Sequence, residues 1–213
     1  MNFWDQHYTA PGYKYGTAPN RYLVGQAHRL TPGSLVLLPG DGEGRNSVWL
    51  ASQGHRVHAV DSSAVGLAKA QALAAERGVT IETTQADLAH WSPEPASCDA
   101  VVLVYLHLPA DLRPRVLRQL ALALKPGGLW LAEAFHPEQL GHTSGGPKDV
   151  SMLYTPELLA ADTNEWLAHE HLWHGPTELD EGPGHQGLAH VTRHIAHRRP
   201  TRSDSSDSVA SVF

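Results

Sequence analysis

The sequence predicts an α/β domain with a doubly wound, seven-stranded and mostly parallel sheet that has one reversed C-terminal strand. Two observations predict this class. From Ser34 onward, short apolar runs alternate with helical stretches, as in βαβ units. Two extended segments then follow without a helix between them. With 213 residues, 41% of them hydrophobic, the chain can bury one sizeable core, so a single domain over residues 1–200 is expected.

Five parallel strands and a closing hairpin are predicted in chain order. The segments at residues 165–174 and 188–197 flank a connection rich in glycine and proline at 182–184, so they should pair antiparallel. This hairpin supplies the last two strands, one of them reversed. The apolar runs that predict the five parallel strands are residues 35–38, 56–60, 79–83, 100–104 and 129–135.

Four helices are predicted among these strands. Those at residues 46–53 and 64–77 each end at a glycine, which readily adopts the left-handed conformation found after a helix. Residues 111–124 carry leucine and valine at helical spacing. Another helix begins at Pro156, because Thr155 can cap it and proline suits the first helical position.

The two ends of the chain differ from this alternating middle. Residues 1–30 are predicted to form an aromatic flap, because six of the fifteen aromatic residues fall within the first 22 positions among prolines and glycines that break regular structure. Residues 201–213 contain five serines and two aspartates with little to bury, so a disordered tail is expected there.

Composition excludes several classes of partner and compartment. The net charge of −6 argues against nucleic acid, whose binding depends on basic patches. A single cysteine, Cys98, excludes an intrachain disulfide and fits a reducing compartment. The apolar run at 100–106 is far shorter than the roughly 20 residues that span a bilayer, and the first residues lack a basic then apolar leader. A cytoplasmic protein without a membrane partner is therefore expected.

A glycine loop lies between the first strand and the first helix. Gly40, Gly42 and Gly44 allow the backbone to approach a ligand at a helix N-terminus. Asp61 ends the second strand beside this loop and can bind the hydroxyls of an adenosine ribose; the alternative is a helix cap. Asp87 follows the third strand, where it can hold an adenine amino group or cap a turn.

The segments GDGEGRN, VHAVDSS, QADL and LKPGGLWLAE, in this order, resemble a class I S-adenosylmethionine-dependent methyltransferase, which implies a Rossmann-like fold. The segments FWDQHY, YGTAPN and GDGEGRNSVWLASQGH further resemble the small bacterial methyltransferases grouped with tellurite-resistance and thiopurine methyltransferases. The resemblance covers about residues 2–198. It implies S-adenosylmethionine as the cofactor and a small-molecule acceptor, plausibly a thiol or chalcogen anion.

The resemblance also implies which residues bind the cofactor. The family often has an acidic residue two positions before the first glycine, but Leu38 stands there, so Asp41 is the candidate contact to the methionine amino group. The implied cofactor-binding residues are Trp4, Tyr15, Gly40, Asp41, Gly42, Gly44, Asn46, Asp61, Ser62, Asp87, Leu88 and Tyr105. The aromatic residues predicted to close the site as a lid are Trp4, Tyr8, Tyr13 and Tyr15.

The candidate catalytic residues are Tyr105, His107 and His136, which follow the fourth and fifth strands. His107 can act as a general base or as a polar wall residue. The chain lacks the Asn/Asp-Pro-Pro-Tyr type of motif, which argues against methylation of amide or nucleobase nitrogen. Met152 and Tyr154 arrive from a later loop, and such a polarizable wall suits a soft nucleophile.

The fifteen histidines raise the question of a metal site. No metal is predicted, since neither a cysteine pair nor an HExxH motif accompanies them. The histidines on the two hairpin strands are His169, His171, His174, His190, His194 and His197. Two alternative functions stay open: a nicotinamide-dependent oxidoreductase, which shares the sheet, the glycine loop and the ribose carboxylate, and a non-catalytic cofactor-binding module. The sequence does not distinguish a monomer from a homodimer.

Overall fold

The computed structural model describes residues 2–200, and the predicted tail at 201–213 lies outside the described residues. One seven-stranded sheet has the order β3-β2-β1-β4-β5-β7-β6, and β7 runs antiparallel to both of its neighbours. The predicted fold class is confirmed, including the single reversed strand. The strands are β1 (Leu35–Pro39), β2 (Arg56–Asp61), β3 (Glu82–Gln85), β4 (Cys98–Val104), β5 (Leu124–Phe135), β6 (Leu167–Asp180) and β7 (Gln186–Arg198).

Helices cover both faces of the sheet. On one face, Leu117 and Leu159 pack with the buried strand residue Trp130; on the other, Leu23 and Leu50 pack with a second set of strand residues. The helices are α1 (Phe3–Tyr8), α2 (Arg21–Gln26), α3 (Arg45–Ser52), α4 (Ala64–Glu76), α5 (Arg113–Ala123) and α6 (Pro156–Thr163). Within residues 2–200, none of these helices has the length and apolar composition needed to cross a membrane.

The third strand begins later than the sequence predicts. It runs from Glu82 to Gln85, whereas the prediction was 79–83. The reason lies in the end of α4: Gly78 has a φ of +68°, and the amide of Val79 still donates to the carbonyl of Ala74 at 3.0 Å. Val79 also packs beside the α3–α4 contact, so its apolar side chain belongs to the helix layer.

The N-terminal flap contains two short helices, α1 and α2, which were not predicted because prolines and glycines are frequent in this segment. Each helix begins with a capping asparagine. Asn2 Oδ1 accepts from Asp5 N at 2.7 Å, and Asn20 Oδ1 accepts from Leu23 N at 2.8 Å. Asp5 Oδ1 also accepts from Ser63 Oγ at 2.8 Å, which docks α1 on the start of α4. The flap is therefore a folded segment held against the sheet domain.

Candidate functional site

The glycine loop joins β1 to α3 at the carboxyl edge of the sheet. Gly40, Gly42 and Gly44 have φ values of +71°, +63° and +88°, in the left-handed region that favours glycine. A Cβ atom at Gly44 would also lie 2.5 Å from Ala70 Cβ, so α3 and α4 approach closely there. The sequence pattern thus reflects a real backbone requirement for glycine.

Asp61 lies at the end of β2, and each of its carboxylate oxygens accepts a hydrogen bond from a backbone amide. Its Oδ2 accepts from Gly42 N at 2.9 Å, and its Oδ1 accepts from Ser63 N at 2.8 Å. The side-chain cap of α4 is Ser63, whose Oγ accepts from Gly66 N at 3.0 Å. Burial raises the pKa of Asp61. The neighbouring Ser62 accepts a bond from Asn2 Nδ2 at its backbone carbonyl, at 2.7 Å.

The two acidic residues inside the glycine loop have different partners. Glu43 is paired, because its carboxylate lies 2.8 Å from Lys69 Nζ and accepts from Lys14 N at 2.7 Å. Asp41 accepts from Ser47 Oγ at one oxygen, while its buried Oδ1 has no hydrogen-bond partner among residues 2–200. Burial raises the pKa of Asp41 to about 6. The loop therefore presents one carboxylate oxygen that a ligand cation can satisfy.

The aromatic residues of the flap lie over this loop. A Cβ atom on Gly42 would lie 2.6 Å from the Tyr8 hydroxyl oxygen, so the Tyr8 ring covers the loop. Trp4 stacks on Tyr8 with ring centroids 5.7 Å apart, and Tyr15 meets Tyr8 edge-on at 6.5 Å. Tyr13 is positioned elsewhere, since its hydroxyl donates to the Lys69 carbonyl at 3.3 Å.

The flap is fastened at its C-terminal end by a buried polar network. Asn20 Nδ2 donates to Glu133 Oε1 at 2.7 Å and to Glu181 Oε1 at 3.0 Å. Asn20 N donates to Asn46 Oδ1 at 2.9 Å. The side chain of Asn46, which was predicted to bind the cofactor, therefore holds the backbone of the flap. Arg45 Nη2 lies 2.7 Å from Glu181 Oε2 in an ion pair shielded from solvent.

The flap also touches the turn between β6 and β7. Gly184 N donates to the Lys14 carbonyl at 2.9 Å. Gly16 packs against Gly182, and a Cβ atom on Gly16 would lie 3.3 Å from Gly182 Cα. Backbone thus lies directly against backbone at this contact, with no side chain between the two segments.

An aromatic wall follows β4 and β5. Tyr105 has a φ of +54°, an uncommon conformation for a residue with a side chain, and its ring stacks on Phe135 at 4.6 Å. Its hydroxyl donates to Glu133 Oε1 at 3.0 Å. His185, from the hairpin turn, completes the wall, with its ring 4.5 Å from Tyr105 and 4.4 Å from Tyr15.

Sequence reasoning missed His185 because it lies in a connection rich in glycine and proline. Burial lowers the pKa of His185 to about 3, so the ring is neutral at physiological pH. Its Nδ1 is buried and has no hydrogen-bond partner within the described part of the chain. Only the return of the hairpin onto the flap brings it to the wall, and no local motif signals that contact.

His107 lies behind the wall with both ring nitrogens engaged by backbone. Its Nδ1 donates to the Met152 carbonyl at 2.6 Å, and its Nε2 accepts from Phe135 N at 3.2 Å. Burial lowers the pKa of His107 to about 4. This geometry favours the alternative of a polar wall residue over that of a general base, since neither nitrogen is free to take a proton.

Three other predicted residues lie toward the margins of the site. Asp87 is exposed, and its Oδ1 accepts from Ala89 N at 2.8 Å in a turn. Leu88 is partly buried against the core. His136 contacts His174, with ring centroids 4.2 Å apart, so it faces the hairpin strands. Asp87 nevertheless stays next to the end of β2, because Ala86 N donates to the Asp61 carbonyl at 2.9 Å.

Comparison with known proteins places this geometry among methyltransferases. Residues 36–128 match a family model described as a methyltransferase domain. The 2-heptyl-1-hydroxyquinolin-4(1H)-one methyltransferase of Mycobacteroides abscessus is 26% identical over 138 residues. That alignment covers 63% of this chain and 60% of the relative, so the similarity spans less than two thirds of the relative's length.

Solved structures share the fold at low sequence identity. One, from work on the conversion of a disulfide bond into a thioacetal group during echinomycin biosynthesis, has a TM-score of 0.76 and 17% identity, covering 95% of this chain and 93% of that one. A SAM-dependent methyltransferase from Methanosarcina mazei has a TM-score of 0.65 and 17% identity, with 86% and 100% covered. TehB from Haemophilus influenzae has a TM-score of 0.67 and 20% identity, with 93% and 66% covered.

The matched segment includes the glycine loop, Asp61 and the end of β4, whereas the flap and the hairpin lie outside it. The match over residues 36–128 agrees with the predicted methyltransferase class. The chain therefore contains a segment that matches a methyltransferase domain, and it has the fold of solved S-adenosylmethionine-dependent methyltransferases.

Proposed function

We propose that this protein transfers a methyl group from S-adenosylmethionine to a small-molecule acceptor that is already anionic near pH 7, such as a thiolate or another chalcogen anion. The observation that carries the proposal is the buried, unpartnered oxygen of Asp41 inside the glycine loop. S-adenosylmethionine brings an ammonium group and a sulfonium centre, and either positive charge stabilises a carboxylate in this place.

The same carboxylate argues against the nicotinamide alternative. A dinucleotide places its pyrophosphate at a helix N-terminus, where backbone amides and the helix dipole favour negative charge. Here Asp41 lies inside the loop at that position, with one buried carboxylate oxygen that has no partner among residues 2–200. A carboxylate next to a pyrophosphate would repel it, whereas it attracts a cationic ligand. Asp61 does not separate the two alternatives, because a nicotinamide cofactor also presents a ribose.

In this proposal each part of the site has one task. The glycine loop and Asp41 hold the methionine portion, Asp61 binds the ribose hydroxyls, and Asp87 with Leu88 lies beside the adenine. Trp4, Tyr8 and Tyr15 close the site and exclude water, with an aromatic face near the sulfonium. The bound cofactor supplies an electrophilic methyl group, and transfer to an aligned nucleophile requires no covalent intermediate.

We infer the charge of the acceptor from the weak basicity of the two histidines near the aromatic wall. His107 and His185 have pKa values lowered to about 4 and about 3, so both are weak bases. An alcohol acceptor would need a stronger base to remove its proton. A nucleophile that ionises by itself needs only orientation, and the aromatic wall formed by Tyr105 and Phe135 suits a polarizable anion.

The relatives support two acceptor classes. The structure associated with disulfide-to-thioacetal conversion concerns sulfur chemistry, and the narrower resemblance to tellurite-resistance and thiopurine methyltransferases agrees with a chalcogen anion. The curated relative is named for a hydroxyquinolone. A hydroxyl group on a heteroaromatic ring is therefore the second candidate, provided that it is acidic enough to ionise without help.

Calorimetry and a transfer assay test the proposal. The purified chain is titrated separately with S-adenosylmethionine, S-adenosylhomocysteine, NADH and NADPH, and only the first two should bind. Transfer of labelled methyl groups is then measured to an aryl thiol, tellurite, a 1-hydroxyquinolone and an aliphatic alcohol. Binding of a nicotinamide cofactor would overturn the cofactor assignment. Binding of S-adenosylmethionine without transfer to any acceptor would favour the non-catalytic module.

Compartment and partners belong to the same proposal. The single cysteine, Cys98, is buried and free, which supports a reducing compartment such as the cytoplasm. The net charge of −6 supports a partner other than nucleic acid. Fractionation of the host cell and a gel-shift assay at low salt test these two points.

A further inference from the structure

Three histidines that lie far apart in the sequence meet beside the end of β5. His136 directly follows β5, His174 lies on β6 and His190 lies on β7. The backbone fixes two of them, because His136 N donates to the His190 carbonyl at 3.0 Å and His190 N donates to Gln139 Oε1 at 2.8 Å. The register of β6 and β7 pairs His174 with Thr192, two residues from His190.

The side chains of this cluster approach one another closely. His174 Nδ1 lies 3.1 Å from His190 Nε2, and Glu138 Oε2 lies 3.2 Å from His190 Nδ1. These contacts use different nitrogens of His190, so a bound ion would take one of them and leave the other as a supporting hydrogen bond. One nitrogen or oxygen from each of the four side chains lies within 4.8 Å of the others. In a tetrahedral zinc site with bonds of about 2.0–2.1 Å, ligand atoms are about 3.3 Å apart, so small side-chain movements suffice.

The hydrogen bonds of the cluster suit metal ligands. Nδ1 of His136 accepts a 3.2 Å bond from Glu138 N, so this nitrogen carries a lone pair that an ion can take over. The Glu138 carboxylate lies 3.2 Å from His190 Nδ1 and offsets positive charge at the cluster.

We propose that His136, Glu138, His174 and His190 form a binding site for a divalent transition-metal ion, with Zn²⁺ as the best match to three imidazoles and one carboxylate. The site would join the end of β5 to both hairpin strands. Phe135, the neighbour of His136, belongs to the aromatic wall, and the hairpin carries His185 to the same wall. A bound ion would therefore stabilise the wall from outside the cleft.

A second histidine pair on the hairpin lacks these features. His169 Nδ1 and His194 Nε2 are 2.8 Å apart, but no carboxylate completes a group of three or more ligands around them in the described part of the chain. The four-residue cluster therefore makes a more specific prediction than the overall number of histidines. The sequence predicted no metal because the histidine pattern was considered on the two hairpin strands alone, whereas His136 and Glu138 come from the segment after β5.

Metal titration of the full chain, purified without a histidine tag and treated with a chelator, tests the proposal. Calorimetry with Zn²⁺ should give one tight equivalent, and Mg²⁺, which prefers oxygen ligands, should give none. Co²⁺ should produce the visible absorption of a tetrahedral site. The melting temperature should rise on addition of one equivalent of Zn²⁺, because the ion binds only the folded site.

Two exposed ligands allow substitution without a buried cavity. His174→Ala and Glu138→Gln should each weaken Zn²⁺ binding by at least about tenfold and abolish the rise in melting temperature. The matched control is His171→Ala, an exposed histidine on the same strand, which should leave both unchanged. The site would be disproved if all three variants bound Zn²⁺ equally, or if the wild-type chain bound several weak equivalents or none. These outcomes do not depend on whether methyl transfer is observed.

Discussion

The glycine loop and the aromatic wall are built in different ways. On the side proposed to bind the cofactor, the glycine loop and Asp61 lie within 22 consecutive residues, and two hydrogen bonds to backbone amides fix the carboxylate. On the side proposed to bind the acceptor, the contacts among Tyr15, Tyr105, Phe135 and His185 join segments from both ends of the chain. The first side depends on local backbone geometry, whereas the second depends on docking of the flap and the hairpin.

Because the two sides are built differently, a substitution should have a different effect on each of them. A change on the cofactor side should alter ligand binding in a chain that stays folded. A change in the contacts that dock the flap and hairpin should alter stability or turnover. The following predictions test that separation, beginning with the largest expected effect.

Loss of the buried ion pair should have the largest effect on stability. Glu181→Ala leaves the Arg45 guanidinium without its 2.7 Å partner in a site shielded from solvent, so the free energy of unfolding should fall by about 3–5 kcal/mol. Urea denaturation measures this change. The matched control is Asp180→Ala, which breaks only an exposed contact to Arg21 and should be nearly neutral. Similar losses in both variants would contradict the role assigned to the network.

Removal of the flap should affect turnover more than folding. Deletion of residues 1–18 removes Trp4, Tyr8 and Tyr15, which cover the glycine loop and complete the wall. Turnover should fall about a hundredfold or more, because reactant alignment and water exclusion are lost. Circular dichroism should show that the sheet domain is retained. Normal turnover by the truncated chain would rule out a lid.

Asp61→Ala should weaken S-adenosylmethionine binding and leave the fold intact. The carboxylate accepts bonds from Gly42 N and Ser63 N, which hold it beside the glycine loop. Loss of buried hydrogen-bonding partners should reduce the binding free energy by about 1–3 kcal/mol. Calorimetry measures the dissociation constant. An unchanged value in the folded variant would remove Asp61 from the cofactor site.

Cofactor affinity should depend on the ionisation of Asp41. Burial raises the pKa of Asp41 to about 6 in the free protein, so the carboxyl group is mostly ionised at pH 7 and mostly protonated at pH 5. A protonated carboxyl group cannot pair with the ammonium group, so affinity should fall about tenfold from pH 7 to pH 5. In Asp41→Asn the affinity should be lower at pH 7 and nearly independent of pH. The same slope in both proteins would assign the effect to another group.

The smallest effect is expected at His107. Since both ring nitrogens are bonded to backbone and its pKa is lowered to about 4, His107→Ala should slow turnover less than about tenfold. The pH–rate profile should follow the acceptor's own ionisation in both proteins. A thousandfold loss, with disappearance of an inflection near pH 6.5, would make His107 the base and the acceptor a hydroxyl group.

The sequence predicts the sheet and the glycine loop because both depend on local patterns. Alternation of apolar runs and helices gives the number of strands and their parallel direction, and the φ requirements explain the glycines at 40, 42 and 44. Helix α1 was missed because the prolines and glycines at 11–19 were applied to the whole flap, although Asn2 is a helix cap and the six residues after it contain neither proline nor glycine. His185 could not be predicted, since its position depends on contacts between segments about 170 residues apart.

The contact between Gly16 and Gly182 ties the flap to the hairpin turn with no side chain between them. The flap lies over the glycine loop and also supplies Tyr15 to the aromatic wall. A movement that lifts the flap off the loop would therefore take Tyr15 out of the wall as well. We expect the proposed cofactor site and the proposed acceptor site to open and close together.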